Sequence, residues 1–183
     1  MKDLNQLLLK LDLKQNYKNE DFYVNKSNFF AYSLIEKWPK WEKNILNING
    51  EKFCGKTHLS EIFKKKYKAL IITNEEINNN FLNRIRFHEN IIVDNLEFIS
   101  DEKILYSIIN FAEQYNKYLI INSLKPLNSI DFTLPDLKSR LKNCIYAKID
   151  KPDDDMIFAL VLKHFSDRQI KIEKKIIEYI TKR

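Results

Sequence analysis

Five short, largely apolar runs are spaced along the chain, at Ile45 to Ile48, Ala69 to Thr73, Ile91 to Asp94, Tyr118 to Asn122 and Cys144 to Ile149. Each is rich in Ile, Val or Tyr and shorter than an ordinary helix, and the most apolar of them keep no strict in-out alternation, the pattern of a strand covered on both faces. Between them the apolar positions recur with the helical period. Lys56 to Tyr67, a short piece near Glu75 to Arg84, and Glu102 to Tyr115 read as helices, the last with Ile104, Leu105, Ile108, Ile109 and Ala112 on one face. Strands alternating with helices predict an α/β fold, a parallel sheet between two helical layers.

Ahead of the first run, Ser27 is placed to cap a helix ending near Trp38, where Pro39 stops it. After the last run, Pro152 and Asp153 introduce a helix to about Phe165, and Ile172 to Thr181 reads as another. The charged turn Asp150 to Asp155 is the natural boundary. The expected organisation is an N-terminal tail over 1–20, an α/β base over 21–150 and a partial helical lid over 151–183.

With 183 residues, 44% of them hydrophobic, the chain is long enough for one substantial core. Its longest apolar runs fall far below the ~20 residues that span a bilayer, and Lys10, Asp12 and Lys14 interrupt the leucine-rich N-terminus, so a cytoplasmic protein is expected. Cys54 and Cys144 form no CxxC pair and support neither a disulfide framework nor zinc; Cys54 reads as a small buried side chain. The net charge of +6 has one local concentration, Lys64, Lys65, Lys66 and Lys68, which reads first as a solvated helix end. No recognition motif for specific DNA sequence is present.

The chemistry lies in Gly50-Glu51-Lys52-Phe53-Cys54-Gly55-Lys56-Thr57, which matches GxxxxGK[ST] between a predicted strand and a predicted helix. Backbone amides of such a loop wrap phosphates, the helix N-terminus adds positive potential, Lys56 reaches the outer phosphates and Thr57 offers a hydroxyl to magnesium. The chain contains only two glycines, and both are here. Phe53 stands where many such loops carry a further glycine, a bulky side chain in a tight loop.

Asp94 ends an apolar strand, where a carboxylate can hold the magnesium of a nucleotide. Asn95 follows it, a neutral amide that orients water but cannot deprotonate it, so slow hydrolysis of ATP is expected. Asn122, ending the fourth strand, reads either as a contact to the outer phosphate or as an ordinary turn residue. Arg140, on a short helix before the last strand, reads either as a surface cation or as an arginine finger directed at a neighbour's nucleotide.

The order of these features resembles that of AAA+ ATPases. Gly55-Lys56-Thr57-His58-Leu59, Ile92-Val93-Asp94-Asn95-Leu96-Glu97, Leu134 to Leu141 and the opening Asp21-Phe22-Tyr23-Val24 with Ser27-Asn28 resemble the DnaA-related family, and within it the Hda type of regulator. The resemblance implies a P-loop AAA+ three-layer base with strand order 5-1-4-3-2 and a short, truncated lid. It implies ADP or ATP with Mg2+ as cofactors, the nucleotide touching Gly50, Glu51, Lys52, Phe53, Cys54, Gly55, Lys56, Thr57 and His58, with Phe22 and Val24 near the adenine. It further implies Thr57 and Asp94 on the magnesium, Asn122 as first sensor, Asn95 in place of a base, and Arg140 as a finger acting on ATP held by the initiator DnaA.

Gln6, Leu7, Leu9 and Leu11 resemble the peptide by which such regulators sit on the replicative sliding clamp; the same leucine spacing also fits an amphipathic helix. Origin recognition is not expected, because no helix-turn-helix domain follows the lid before Arg183 and the stretch Asn74 to Asn90 accommodates one short helix only. Whether the chain self-associates stays open. Two other functions fit the same sequence: an adaptor that needs no nucleotide, and a helicase-loader-like ATPase.

Overall fold

The computed structural model describes residues 22–73, 77, 81–99, 101–171 and 175–176. Residues 1–21, which contain Gln6, Leu7, Leu9, Leu11 and Asp21, lie outside the described residues, as does most of the second predicted lid helix. In chain order the elements are α1 (Phe29–Lys37), β1 (Ile45–Asn49), α2 (Lys56–Tyr67), β2 (Leu70–Ile72), α3 (Phe81–Arg86), β3 (Asn90–Val93), α4 (Glu102–Gln114), β4 (Tyr118–Ser123), α5 (Pro135–Leu141), β5 (Ile145–Lys148) and α6 (Asp154–Asp167). Short 3-10 turns at Leu96–Phe98 and Leu127–Ser129 follow β3 and β4.

The five strands form one sheet in the order β2-β3-β4-β1-β5, every neighbouring pair parallel. This is the expected order, read from the opposite edge. Because side chains alternate across a strand, each strand feeds two cores. Ile91, Val93, Leu119 and Ile121 pack with Leu105, Ile108, Ile109 and Ala112 of α4 and with Leu137 and Leu141 of α5. Leu46, Ile48, Ile92 and Ile120 pack on the other face with Ala31 and Ile35 of α1 and Leu59 and Phe63 of α2. Cover on both faces is why these strands carry no polar side to read.

Several boundaries differ from the sequence reading. The cap position of α1 is Asn28, not Ser27, and neither side chain caps the helix in the usual way; the Ser27 hydroxyl instead donates to Asn25 Oδ1 at 2.6 Å. β3 opens on Asn90, whose buried amide donates to the Tyr67 carbonyl, and closes at Val93, so that Asp94 stands just past the strand. α4 is capped by Asp101, which accepts from the Lys103 amide at 2.9 Å.

A polar residue inside β1 positions the loops. Asn47 is fully buried, donates to the Ile121 carbonyl and Ser123 Oγ at 2.8 Å each, and accepts from the Leu127 amide at 3.2 Å. One buried amide thereby pins the end of β4 and the loop after it to β1. A buried amide with both ends bonded repays its desolvation, which explains an Asn in the middle of a core strand.

Candidate nucleotide-binding site

The segment between β1 and α2 turns over the C-terminal end of the sheet. Gly50 donates its amide to the Ser123 carbonyl at 3.1 Å, and a Cβ there would meet Ile149 O at 2.5 Å and Cys54 Sγ at 2.7 Å. Glycine at 50 is therefore a matter of space. Gly55, at φ 104°, is a matter of backbone conformation, and α2 starts on the next residue. Phe53 also has positive φ, 65°, and its side chain is fully exposed. The left-handed conformation costs a non-glycine residue roughly 1–2 kcal/mol, and the ring stays out of the loop's interior, so its bulk is accommodated by exposure.

Lys56 is buried, and its ammonium donates to the carbonyls of Gly50 at 2.7 Å and Glu51 at 2.8 Å. One residue on, Thr57 Oγ1 donates to Asp94 Oδ2 at 3.0 Å. The other oxygen of Asp94 accepts from Asn122 Nδ2 at 2.7 Å and from the Asn95 amide at 3.1 Å. Asn122 is itself fully buried, with Nδ2 also 2.8 Å from Ser60 Oγ on α2 and with Oδ1 bonded to no protein group. The loop, the end of β3 and the end of β4 thus converge on one carboxylate.

Asn95 adopts the left-handed conformation, φ 52° and ψ 60°, and turns its amide toward Asp94 Oδ2 at 3.4 Å. Glu97 accepts from the Leu124 amide and so bridges the loops after β3 and β4. Burial leaves the Cys54 side chain small and enclosed, as expected; Cys144, away from the site, is pushed up to about 12 by desolvation and carries no thiolate near neutral pH.

A cavity of about 690 Å³ opens over these groups, within the range of small-molecule sites. Lys52, Phe53, Cys54, Gly55, Lys56, Thr57, His58, Asn95 and Phe22 line it. Gly50, Glu51, Asp94, Asn122 and Val24 are not part of the lining, whereas Tyr23, the neighbour of Val24, is. Pro152 and, on α6, Met156 and Leu160 close one side, and Phe98 and Leu124 complete the rim. None of those five is a site residue in the sequence reading, where Pro152 only introduces a helix; the apolar face of the helix after Pro152 is the signal that points to Met156 and Leu160.

Arg140 is not part of this cavity. It lies on α5, in a salt bridge with Glu113 near the end of α4 and with its guanidinium 5.5 Å from the Tyr106 ring centroid. Among the described residues, no cluster of three or more His, Cys, Asp or Glu side chains is placed to hold a metal, and no described helix is long and apolar enough to cross a membrane.

A parallel sheet of order 2-3-4-1-5 with a GxxxxGK[ST] loop after β1 and an aspartate after β3 defines a P-loop α/β protein of the AAA+ type. More narrowly, the chain is similar to part of the replication initiator DnaA. No family model matches the chain. It is 28% identical to the chromosomal replication initiator DnaA of Borrelia turicatae over 200 aligned positions, 93% of this chain and 41% of that protein, and 25% identical to that of Corynebacterium jeikeium, 93% of this chain and 34% of that one.

Among solved structures it resembles a DNA replication initiation factor with a TM-score of 0.79 at 20% identity, covering 91% of this chain and 59% of that one. Domain III of Thermotoga maritima DnaA superposes with a TM-score of 0.77 at 19% identity, over 93% of this chain and 82% of that one. AMPPCP-bound DnaA from Aquifex aeolicus gives 0.76 at 20% identity, over 93% and 61%. The chain spans about two-fifths or less of the length of the two curated relatives described.

Proposed function

We propose that this chain is a cytoplasmic AAA+ protein of DNA replication initiation that binds ADP or ATP with magnesium and hydrolyses it slowly. The observation that carries the reading is that Thr57 and Asn122 both bond the Asp94 carboxylate beside a cavity that Lys56 and Thr57 line. The fold shared with AMPPCP-bound DnaA supports the same ligand class.

Magnesium suits the donors present. Thr57 and Asp94 are two hard oxygen donors in contact, and this ion is commonly held by one or two protein groups together with phosphate oxygens and water. When bound, it neutralises charge on the phosphates. Lys56 would then hold the outer phosphates, Asn122 would keep the Asp94 carboxylate in place through the bond it already makes, and Asn95 supplies no base, which keeps turnover low.

Within that role, the reading we favour is a regulator of the Hda type, seated on the sliding clamp through Gln6, Leu7, Leu9 and Leu11 and using Arg140 to stimulate hydrolysis of ATP held by DnaA. Arg140 stands outside its own chain's cavity, where a finger serves a neighbour's nucleotide and not its own. Equilibrium binding of labelled ADP and ATP with magnesium, native protein against Lys56→Ala, tests the nucleotide site. Tight binding that the variant loses is the expected result.

One observation favours a second reading, an adaptor that works without nucleotide. The Lys56 ammonium already bonds two loop carbonyls, and Phe53 holds the loop in a conformation glycine would adopt more cheaply. Phosphates must compete with both. Absence of binding by the native protein would decide for the adaptor.

A further inference from the structure

Residues 22–28, ahead of α1, form no helix or strand. Backbone bonds from the Asn28 and Phe29 amides to the Asn25 carbonyl close the end of this turn, and one side chain closes the rest. Asn28 is fully buried; its Nδ2 donates to the Tyr23 carbonyl at 2.9 Å, and its Oδ1 accepts from the Asn25 amide at 2.9 Å. Asn25 Oδ1 in turn accepts from the Ser27 amide at 2.9 Å. Two bonds fasten this turn to the lid boundary: the Asp150 amide donates to the Ser27 carbonyl at 3.0 Å, and Asn25 Nδ2 donates to Asp153 Oδ1 at 3.3 Å.

The turn determines where Phe22 and Tyr23 stand. Phe22 lies over the loop, its ring carbon 3.5 Å from the point a Cβ on Gly55 would occupy, edge-on to His58 at 5.2 Å and stacked on Tyr32 at 5.8 Å. Both Phe22 and Tyr23 line the cavity, together with Pro152 and Met156 from the lid side, and Asn28 does not. This side of the cavity is ring-bearing and apolar, whereas the side formed by Lys56 and Thr57 carries the charge and the hydroxyl.

We propose that Asn28 is a positioning residue for the nucleoside end of the cavity: its buried carboxamide holds the turn 22–28 so that Phe22 and Tyr23 face the ligand. The inference rests on the nucleotide-binding reading and deepens it. No strand ladder or helix supplies partners for the Tyr23 carbonyl and Asn25 amide, so losing the carboxamide removes both bonds and leaves the 22–24 end of the turn without the tie that Asn28 gives it, while the backbone bonds to the Asn25 carbonyl keep the 25–29 end closed. The phosphate loop is held separately, by β1, α2 and the contacts of Gly50 and Lys56. Asn28 therefore controls affinity for the base and sugar and leaves affinity for bare phosphates alone.

The test titrates ADP and inorganic tripolyphosphate, each with magnesium, against the native chain, Asn28→Ala, Asn28→Asp and Lys56→Ala, with thermal melting of each. Asn28→Asp keeps an acceptor for the Asn25 amide and puts a second oxygen against the Tyr23 carbonyl, so it removes the donor without opening a cavity. Both Asn28 variants should lose about 10-fold or more in ADP affinity while tripolyphosphate binding stays within about two-fold, and Lys56→Ala should lose both ligands. Unchanged ADP affinity in both Asn28 variants, or parallel loss of both ligands, overturns the inference. A native chain that binds neither ligand refutes the nucleotide site itself and the inference with it, an outcome read from the native titration alone.

Discussion

Thr57 Oγ1 and Asp94 Oδ2 lie 3.0 Å apart although 37 positions separate them in the chain, which places the hydroxyl that opens α2 against the carboxylate that follows β3. In this relationship a motif read from a single segment becomes a site. The pair explains why Asp94 is buried and paired instead of solvated in a turn.

Asp94→Asn tests what the pair is for. The substitution keeps the shape and the contacts that an amide oxygen accepts, and removes the charge. ATP affinity measured with and without magnesium should show a gain from the ion in the native protein and little or none in the variant. An equal gain in both would remove Asp94 from the metal's surroundings.

Gly50→Ala places a methyl 2.5 Å from a backbone oxygen that has no freedom to withdraw. Forcing a carbon into such a space costs roughly 1–3 kcal/mol, so urea unfolding should shift to lower midpoint by that amount. Nucleotide binding should fall too, since the loop must move to make room.

Arg140→Ala should abolish any stimulation of hydrolysis by ATP-bound DnaA, a loss of about 10³-fold or more if the arginine is a finger, while clamp binding is retained. Retained stimulation would reduce Arg140 to its salt bridge with Glu113. That bridge is part-exposed, so its own contribution to stability is small.

The pH dependence of stability has two limbs. Glu102 is held below its ordinary 4.5, first by the Thr133 amide it accepts from and also by the Leu134 amide, and it ties α4 to the start of α5. A carboxyl with a depressed folded value stabilises above its unfolded value, so the contribution fades as pH falls below about 4.5. Asp131, lowered by its bond to Lys138, acts in the same direction. Cys144 works oppositely: desolvation raises it from 9.0 to about 12, so its contribution is complete below pH 9 and is lost as pH rises toward 12. Chemical denaturation across pH should show Glu102→Gln flattening the acid limb and Cys144→Ala the alkaline one. Unchanged limbs would exclude both assignments.

The amino-acid sequence by itself determined the features that depend on neighbours along the chain. Both glycines, Lys56 and Thr57 fall within one segment, α2 runs between the expected residues, and five apolar runs announce a sheet buried on both faces. Asp94 was legible because a carboxylate after such a run is where ligands collect.

Tertiary structure alone decided which loops meet. Nothing in the spacing of Asn122 shows that its amide reaches Asp94, and nothing around Asn47 or Asn28 shows that their carboxamides hold loops distant from them. Ser27 has the residue type of a helix cap, yet the turn around Asn25 claims its hydroxyl. Met156 and Leu160 of α6 line the cavity, and the segment that leads to them is bonded to the turn before α1 through the Asp150 amide and the Asp153 carboxylate. These contacts follow from the order of strands in the sheet, and a buried amide carries no period in the sequence: its meaning is set by the backbone groups that the fold brings within reach.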